Sequence, residues 1–445
     1  MQNRWRTCQK SDGTRSRLSI MINFQRLLRL TIHVSLGAFV FFTTPSPALT
    51  SETCPVSRIT ELLENGGYIV THNGQIIEQC NSDQHYIPAS TIKTVSALIA
   101  FTILQPTYRF QTDFFYQNKV LTIKGFGDPF LTSEEVLVIG RNLRARGITE
   151  ISELVLDQST YQVVEPPDGT ENSRNPYDTK NGALAVNFNS IPVIVSDNGV
   201  IESAEPQTPL LPIMREIGLQ LDPGINRVNV FAYPSTKPVD NGLRYVAELF
   251  IALLDQVGIK VSPQYRQGHV QSGATPIYSH FNALNLEEVV TACLKYSNNF
   301  IANQILLQTG LELFSPPASW PKVHQTIATV LTNQFSINLG KNEIYEGSGI
   351  SRRTRVSPRF LIEILEHFKP FAYTMNKRGD IHIKSGTMKE VYSYVGYFTD
   401  GVSYDPFVIL LNQETNNRDT ILSLLAERYK AHLERLNHNL RSRQP

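Results

Sequence analysis

The most strongly patterned early stretch of the chain lies around residue 90. Apolar side chains at Ile92, Val95, Leu98, Ile99 and Phe101 recur at helical spacing and predict a helix that enters the core, closing near Leu104-Gln105-Pro106. Before it, Gly67-Tyr68-Ile69-Val70-Thr71-His72 and Gln75-Ile76-Ile77-Glu78 flank Asn73-Gly74, the pattern of a hairpin whose turn needs positive φ angles. A short helix over residues 57–64 precedes the hairpin. From Thr107 the texture changes. Residues 109–116 and 120–124 predict a second hairpin, ending in the turn cluster Gly125-Phe126-Gly127-Asp128-Pro129. Thr132-Ser133-Glu134-Glu135 is a capping box that opens a helix reaching Arg146-Gly147. Strands follow over 154–157, 191–196 and 228–232, with a polar loop over 165–179 between the first two.

Helical periodicity returns over 243–257 and 284–305, the latter interrupted by Ser297-Asn298-Asn299. A Pro-rich linker over 315–321 precedes helices over 326–333 and 360–367. The chain ends in strands over 381–384, 391–399 and 406–411 and an amphipathic helix over 420–436. Strands at both chain ends with helices between them predict an α/β (α+β) fold. One antiparallel sheet is shared by the termini and flanked by helices, and an inserted α/β accessory region lies between. The expected division is a leader over 1–48, a first part of the main domain over 49–106, the accessory region over 107–280, and the second part over 281–445.

With 445 residues, 41% of them hydrophobic, the chain can bury a large core. Its net charge is +1, but residues 1–30 carry seven basic residues against Asp12, and no Lys, Arg, Asp or Glu follows as far as Ala48. The run over 30–42 is mostly apolar, and Ser46-Pro47-Ala48 supplies small residues where a signal peptidase cuts. We therefore expect an exported, periplasmic protein cleaved after Ala48, with Met1 and Met21 both open as the start. The apolar run is short for a membrane span, so no integral membrane anchor is expected. Losing 1–48 removes +6 and leaves about −5, which argues against a nucleic-acid partner. Cys54, Cys80 and Cys293 remain after cleavage. They leave two readings open: a Cys54–Cys80 disulfide, or three unpaired thiols. An odd count without a CxxC or a histidine cluster speaks against a zinc site.

Ser90 and Lys93 are three residues apart at the start of the first core helix, which puts hydroxyl and amine on one face. A neutral lysine can activate such a serine. The S-x-x-K spacing recurs at Ser319 and Lys322, inside the Pro-rich linker, where no apolar helix follows closely. Two further constellations bear on Ser90. Ser297-Asn298-Asn299 places polar side chains between apolar helical segments, where unpaired groups would cost several kcal/mol, roughly. A helix-capping turn is the alternative. The literal Ser196-Asp197-Asn198 runs into Gly199 and has the signature of a turn. Lys384-Ser385-Gly386-Thr387 follows an alternating strand and offers a cation and two hydroxyls to a carboxylate, with a glycine that lets a substrate backbone approach.

In the order Ser90-x-x-Lys93, Ser297-x-Asn299, Lys384-Ser385-Gly386, these are the three signatures of penicillin-recognising serine enzymes. Over nearly its whole mature length the chain resembles the class C, low-molecular-mass penicillin-binding proteins, the D-Ala-D-Ala carboxypeptidase/endopeptidase group of peptidase family S13. Pro88-Ala89-Ser90-Thr91 is similar to that family's nucleophile segment. Glu346-Gly347-Ser348-Gly349-Ile350-Ser351-Arg352 resembles its D-G-S-G-L-S-R stretch with Glu for Asp. Gly125-Phe126-Gly127-Asp128-Pro129 resembles its G-G-G-D-P turn with Phe for the middle Gly. About 200 residues between Ser90 and Ser297 match the family's insertion between its first two motifs. Asn298 and Ser385 stand where Asp and Thr are common.

The resemblance implies a DD-peptidase/β-lactamase-like fold whose main part is a penicillin-binding domain. It also implies a serine-type D-alanyl-D-alanine carboxypeptidase, and with it an endopeptidase activity to be weighed, acting on peptidoglycan stem peptides. Ser90 would be the nucleophile, Lys93 the general base, and Ser297 the proton relay to the leaving amine. Asn299 would hold the substrate amide and Lys93. Lys384, Ser385, Gly386 and Thr387 would bind the terminal carboxylate. The backbone N–H groups of Ser90 and Thr387 would form the oxyanion hole. Asp157 is similar to a family aspartate proposed to hold the free amine of a diamino acid, and a turn aspartate is its alternative. β-Lactam antibiotics would be covalent inhibitors. No metal or cofactor is needed, and a homodimer is left open. Two readings compete: a β-lactamase-like or esterase hydrolase on the same scaffold, and a weakly catalytic penicillin-binding sensor or scaffold protein. The long insertion disfavours the first, and the intact Ser90, Lys93 and Lys384 disfavour the second.

Overall fold

The first hairpin of the described residues forms as its Asn-Gly turn requires, with Asn73 and Gly74 both at positive φ (49° and 76°). Its strands, Gly66–His72 and Gln75–Cys80, pair with the C-terminal strands in one six-stranded antiparallel sheet. The order is Asn376–Arg378, Ile381–Met388, Val391–Thr399, Tyr404–Leu411, Gly66–His72, Gln75–Cys80. The computed structural model describes residues 54–441 except 172 and 402; the expected leader over 1–48 lies outside the described residues.

Each face of this sheet buries a different set of side chains. On one side the helix Lys93–Ile103 is buried from Lys93 to Phe101. Such all-round burial marks a central core helix. Ile92, Val95, Leu98 and Ile99 pack with residues of the helices Asn299–Phe314, Trp320–Phe335 and Pro358–Phe368 in the largest core. On the other side the C-terminal helix Arg418–Arg441 lays Ile421, Leu425 and Tyr429 over Tyr68, Phe398 and Phe407. Cys54 and Cys80 are joined by a disulfide that ties the start of the described chain to the hairpin, while Cys293 is free and buried.

A five-stranded sheet with both parallel and antiparallel pairs and a three-stranded antiparallel sheet are built between Arg109 and Asn285. They share a separate core around Phe114, Leu156, Leu249 and Phe250, packed by the helices Ser133–Ala145 and Asn241–Gln256. The sequence reading needs two local corrections. The strand expected over 228–232 is Gly224–Asn229, and Val230–Ala232 turns into a short helix capped by the Asn229 side chain. The linker ends earlier than its prolines suggest. Pro321 occupies the first turn of the helix Trp320–Phe335, where a missing N–H costs nothing.

Candidate active site

Ser90 sits on a short 3-10 turn, Ala89–Ile92, that runs directly into the core helix. Ala89 adopts φ 48°, a left-handed conformation uncommon for a residue with a side chain. The turn is held by Pro88 O, which accepts hydrogen bonds from Thr91 Oγ1 at 2.7 Å and Ser393 Oγ at 2.6 Å. Ser393 belongs to the strand paired with Ile381–Met388, so the sheet itself seats the turn. Gly386 is part of the same seat. A Cβ there would lie 2.5 Å from Ser393 Oγ and 2.6 Å from Pro88 O. The absent side chain thus faces the Ser90 turn, and close packing against that turn is by itself enough to exclude a Cβ.

Lys93 Nζ donates to Ser90 Oγ at 2.9 Å, to Asn299 Oδ1 at 2.8 Å and to Ser348 O at 2.7 Å. The lysine is 1% exposed, so its burial is complete. That burial lowers it from the ordinary 10.5 to about 8, against the opposing pull of Cys293 and Glu346. Lys384 is buried to the same degree, and its Nζ donates to Ser297 Oγ at 2.9 Å and Ser385 O at 2.7 Å. Burial, followed by repulsion from Lys93, lowers it to about 7.

The Ser297-Asn298-Asn299 junction turns out to be both a cap and part of the site. Ser297 ends the helix Leu286–Tyr296 in a left-handed conformation, with φ 54°. Asn298 caps the next helix by accepting from Ile301 N. This break aims Ser297 at Lys384 and Asn299 at Lys93. Asn299 Nδ2 donates to Tyr177 O at 3.3 Å.

Ser90, Ser297, Asn299 and Thr387 line one cleft of about 710 Å³, with Lys93 and Lys384 behind them. The same cleft is lined by Glu171, Tyr177 and Asp178 from the 165–179 loop, and by Arg352 and Lys389. Arg418 Nη1 donates to Thr387 Oγ1 and Gly386 O, each at 2.7 Å. It begins the C-terminal helix 31 residues after Thr387 and belongs to no motif. Ser385 is partly buried and does not line the cleft.

Asp157 does not line the cleft either. It ends the strand Glu153–Asp157 at 1% exposure, and its oxygens accept from Ser159 N at 2.9 Å and Val270 N at 2.8 Å. Burial pushes its carboxyl up, but the hydrogen bonds from Ser159 and Val270 outweigh this and hold it below the ordinary range. The first hairpin is no part of the cleft's lining. It lies at the far edge of the sheet, separated from Ile381–Met388 by Val391–Thr399 and Tyr404–Leu411. Lys322 of the second S-x-x-K donates to the carbonyls of Ser315 and Pro317. Ser196 closes an exposed turn with Asn198 and Val200.

A model of the D-Ala-D-Ala carboxypeptidase 3 (S13) family matches residues 61–217 and 230–376. The chain is similar to the D-alanyl-D-alanine carboxypeptidase DacB of Haemophilus influenzae, 23% identical over 437 residues, covering 83% of this chain and 90% of that one. The crystal structure of penicillin binding protein 4 (dacB) from the same organism superposes with a TM-score of 0.67 at 20% identity, over 82% of this chain and 94% of that one. The same Haemophilus protein in complex with a β-lactam superposes with a TM-score of 0.63 at 21% identity, with the same coverage.

Proposed function

Since the chain belongs to the D-Ala-D-Ala carboxypeptidase 3 (S13) family, we propose that Ser90 is the nucleophile with which it removes the terminal D-alanine of peptidoglycan stem peptides. The activity is that of a serine D-alanyl-D-alanine carboxypeptidase. The observation that carries the assignment of Ser90 is its 2.9 Å hydrogen bond to a fully buried lysine at the floor of the cleft.

Ser90 Oγ attacks the carbonyl carbon of the penultimate D-alanine as its proton passes to neutral Lys93 Nζ. The bond to the terminal D-alanine nitrogen then breaks, and that nitrogen is protonated through Ser297, which shares its hydroxyl with Lys384. Water releases the acyl group from Ser90. Burial lowers both lysines, Lys93 to about 8 and Lys384 to about 7, and the charge on Lys93 adds to the lowering of Lys384. A substrate carboxylate arriving at Thr387 and Lys384 favours the proton on Lys384 and leaves Lys93 neutral, the state the attack requires.

The short strand Asn376–Arg378 pairs with Ile381–Ile383, and among the described residues no other strand pairs with the rest of that edge. An extended peptide laid along it would gain main-chain hydrogen bonds and bring its carboxylate to Thr387, whose hydroxyl accepts from Arg418 and is left to donate outward. β-Lactams acylate Ser90 by the same attack. Asp157 serves the turn with Val270 in this scheme. We place the mature chain in the periplasm, and among the described residues no helix is long and apolar enough to cross a membrane. Residues 107–280 are an accessory unit interposed between the two parts of the penicillin-binding domain, 49–106 and 281–445.

Incubation of the mature protein with a pentapeptide muropeptide tests the assignment. Release of D-alanine by the wild type and none by Ser90→Ala is the expected result. Equal release by both would overturn it.

A further inference from the structure

Lys93 Nζ has three oxygen partners, and two of them can only accept: Ser348 O and Asn299 Oδ1. A neutral primary amine has two N–H groups and one lone pair. If both N–H groups go to these acceptors, the lone pair is left facing the Ser90 hydroxyl. Two fixed oxygens therefore decide that the amine meets the serine as a base.

The Ser348 carbonyl is only as well placed as its loop, and residues 346–351 are wrapped around one carboxylate. Glu346 is fully buried. Its Oε1 accepts from Gly349 N at 2.7 Å and Ser351 N at 3.3 Å. Its Oε2 accepts from Ser348 N at 2.7 Å, Ser348 Oγ at 2.6 Å and Asn303 Nδ2 at 3.0 Å. The loop is tied twice more: Gly347 N donates to Asn303 Oδ1 at 2.6 Å, and Gly347 O accepts from Ser96 Oγ at 2.7 Å. Ser96 lies three residues beyond Lys93 on the same helix. A buried carboxylate with this many donors is held rigidly, since each lost partner would leave an unpaired buried group.

We propose that Glu346 is a positioning residue for the general base. Through the 346–351 loop it fixes the carbonyl that orients Lys93 Nζ, and its charge stabilises the ammonium formed when Ser90 gives up its proton. This rests on Ser90 as nucleophile and Lys93 as base. The step balances within the site: the Ser90 O–H bond breaks and its proton moves to Lys93 Nζ, while the Oγ–C bond forms as the carbonyl π pair moves onto its oxygen. Three titratable groups act on Lys93 from the elements around it: Cys293, Lys384 and Glu346. Burial pushes the Cys293 thiol up to about 11, so it stays neutral over the working range. The carboxylate is then the group that favours a proton on Lys93, and Lys384 is the one that opposes it.

The test is the second-order rate constant for acylation by a fluorescent penicillin, followed from about pH 5 to 9. The proteins are the wild type, Glu346→Gln, Ser96→Ala and Ser90→Ala, each with a thermal melt. Glu346→Gln is expected to acylate on the order of 10²-fold more slowly, the cost of misplacing a reacting group. Its acid limb is expected to move to lower pH, because the charge that holds a proton on Lys93 is gone. Ser96→Ala keeps the charge but frees Gly347 O, and is expected to be slower by about tenfold with an unmoved limb. A folded Glu346→Gln whose acid limb stays put, or a Ser96→Ala that acylates at the wild-type rate, overturns the proposal. If Glu346→Gln does not fold, Ser96→Ala decides alone. Labelling that survives in Ser90→Ala overturns the underlying nucleophile assignment, an outcome distinct from failure of the Glu346 variants.

Discussion

Gly386→Ala gives a sharp test of how the nucleophile turn is seated. The new Cβ would stand 2.6 Å from Pro88 O, 2.5 Å from Ser393 Oγ and 3.0 Å from Ala89 Cβ. Ordinary contact begins near 3.4 Å, so the strand and the turn must separate by about 0.8 Å, the difference from the Pro88 distance. Ser393 cannot yield by rotating without giving up its 2.6 Å hydrogen bond to Pro88 O. Overpacking of this kind costs about 1–3 kcal/mol of stability. A displacement approaching 1 Å beside Ser90 costs on the order of 10²-fold in rate, or about 2.7 kcal/mol of barrier. The assay is the second-order rate constant for acylation by a fluorescent penicillin, with a melting curve on the same protein. Slow acylation together with a lowered melting temperature is expected. If the glycine served substrate approach alone, the alanine protein would melt like the wild type. A wild-type melt with a wild-type acylation rate would refute the packing argument altogether.

Two further outcomes follow from the same geometry. A lysine titrating at about 8 is about one-tenth neutral at pH 7, roughly 300-fold more than one at 10.5, so acylation should rise with pH through a midpoint near 8 in the wild type; a flat profile from about pH 6 to 9 would exclude Lys93 as the titrating base. Breaking the disulfide with Cys54→Ser and Cys80→Ser opens a loop of 26 residues and should lower unfolding stability by about 3 kcal/mol in denaturant titrations without reductant, while an unchanged midpoint would show that the bridge constrains nothing.

Much of the site was legible because its parts are local. The Asn73-Gly74 turn, the period of Ile92, Val95 and Leu98, and each of the three motifs depend on neighbours within a few residues, and the order of the motifs is read directly along the chain. Glu346 was visible as a residue of a family-like stretch, yet its role was not. Its carboxylate acts on a lysine some 250 residues earlier through a carbonyl, and carbonyls leave no mark in a sequence. Arg418 was hidden for a similar reason: only the packing of the last helix on the sheet brings it to Thr387. The packing of Gly386 against Pro88 and Ser393 was not legible, since a glycine in a motif shows that a Cβ is excluded but not by what. Only the start of the helix Trp320–Phe335 was read as linker, because prolines that normally stop a helix can also begin one. The distance of the first hairpin from Lys384 was not legible, because strand order, fixed only by long-range pairing, sets them on different parts of the sheet.

Mass spectrometry of the penicillin-treated protein after proteolysis shows whether Ser90 carries the acyl group. A penicilloyl adduct is expected on the peptide containing Pro88-Ala89-Ser90-Thr91, and none on any peptide of Ser90→Ala. An adduct on the peptide of Ser319, or one that persists when Ser90 is alanine, would contradict it.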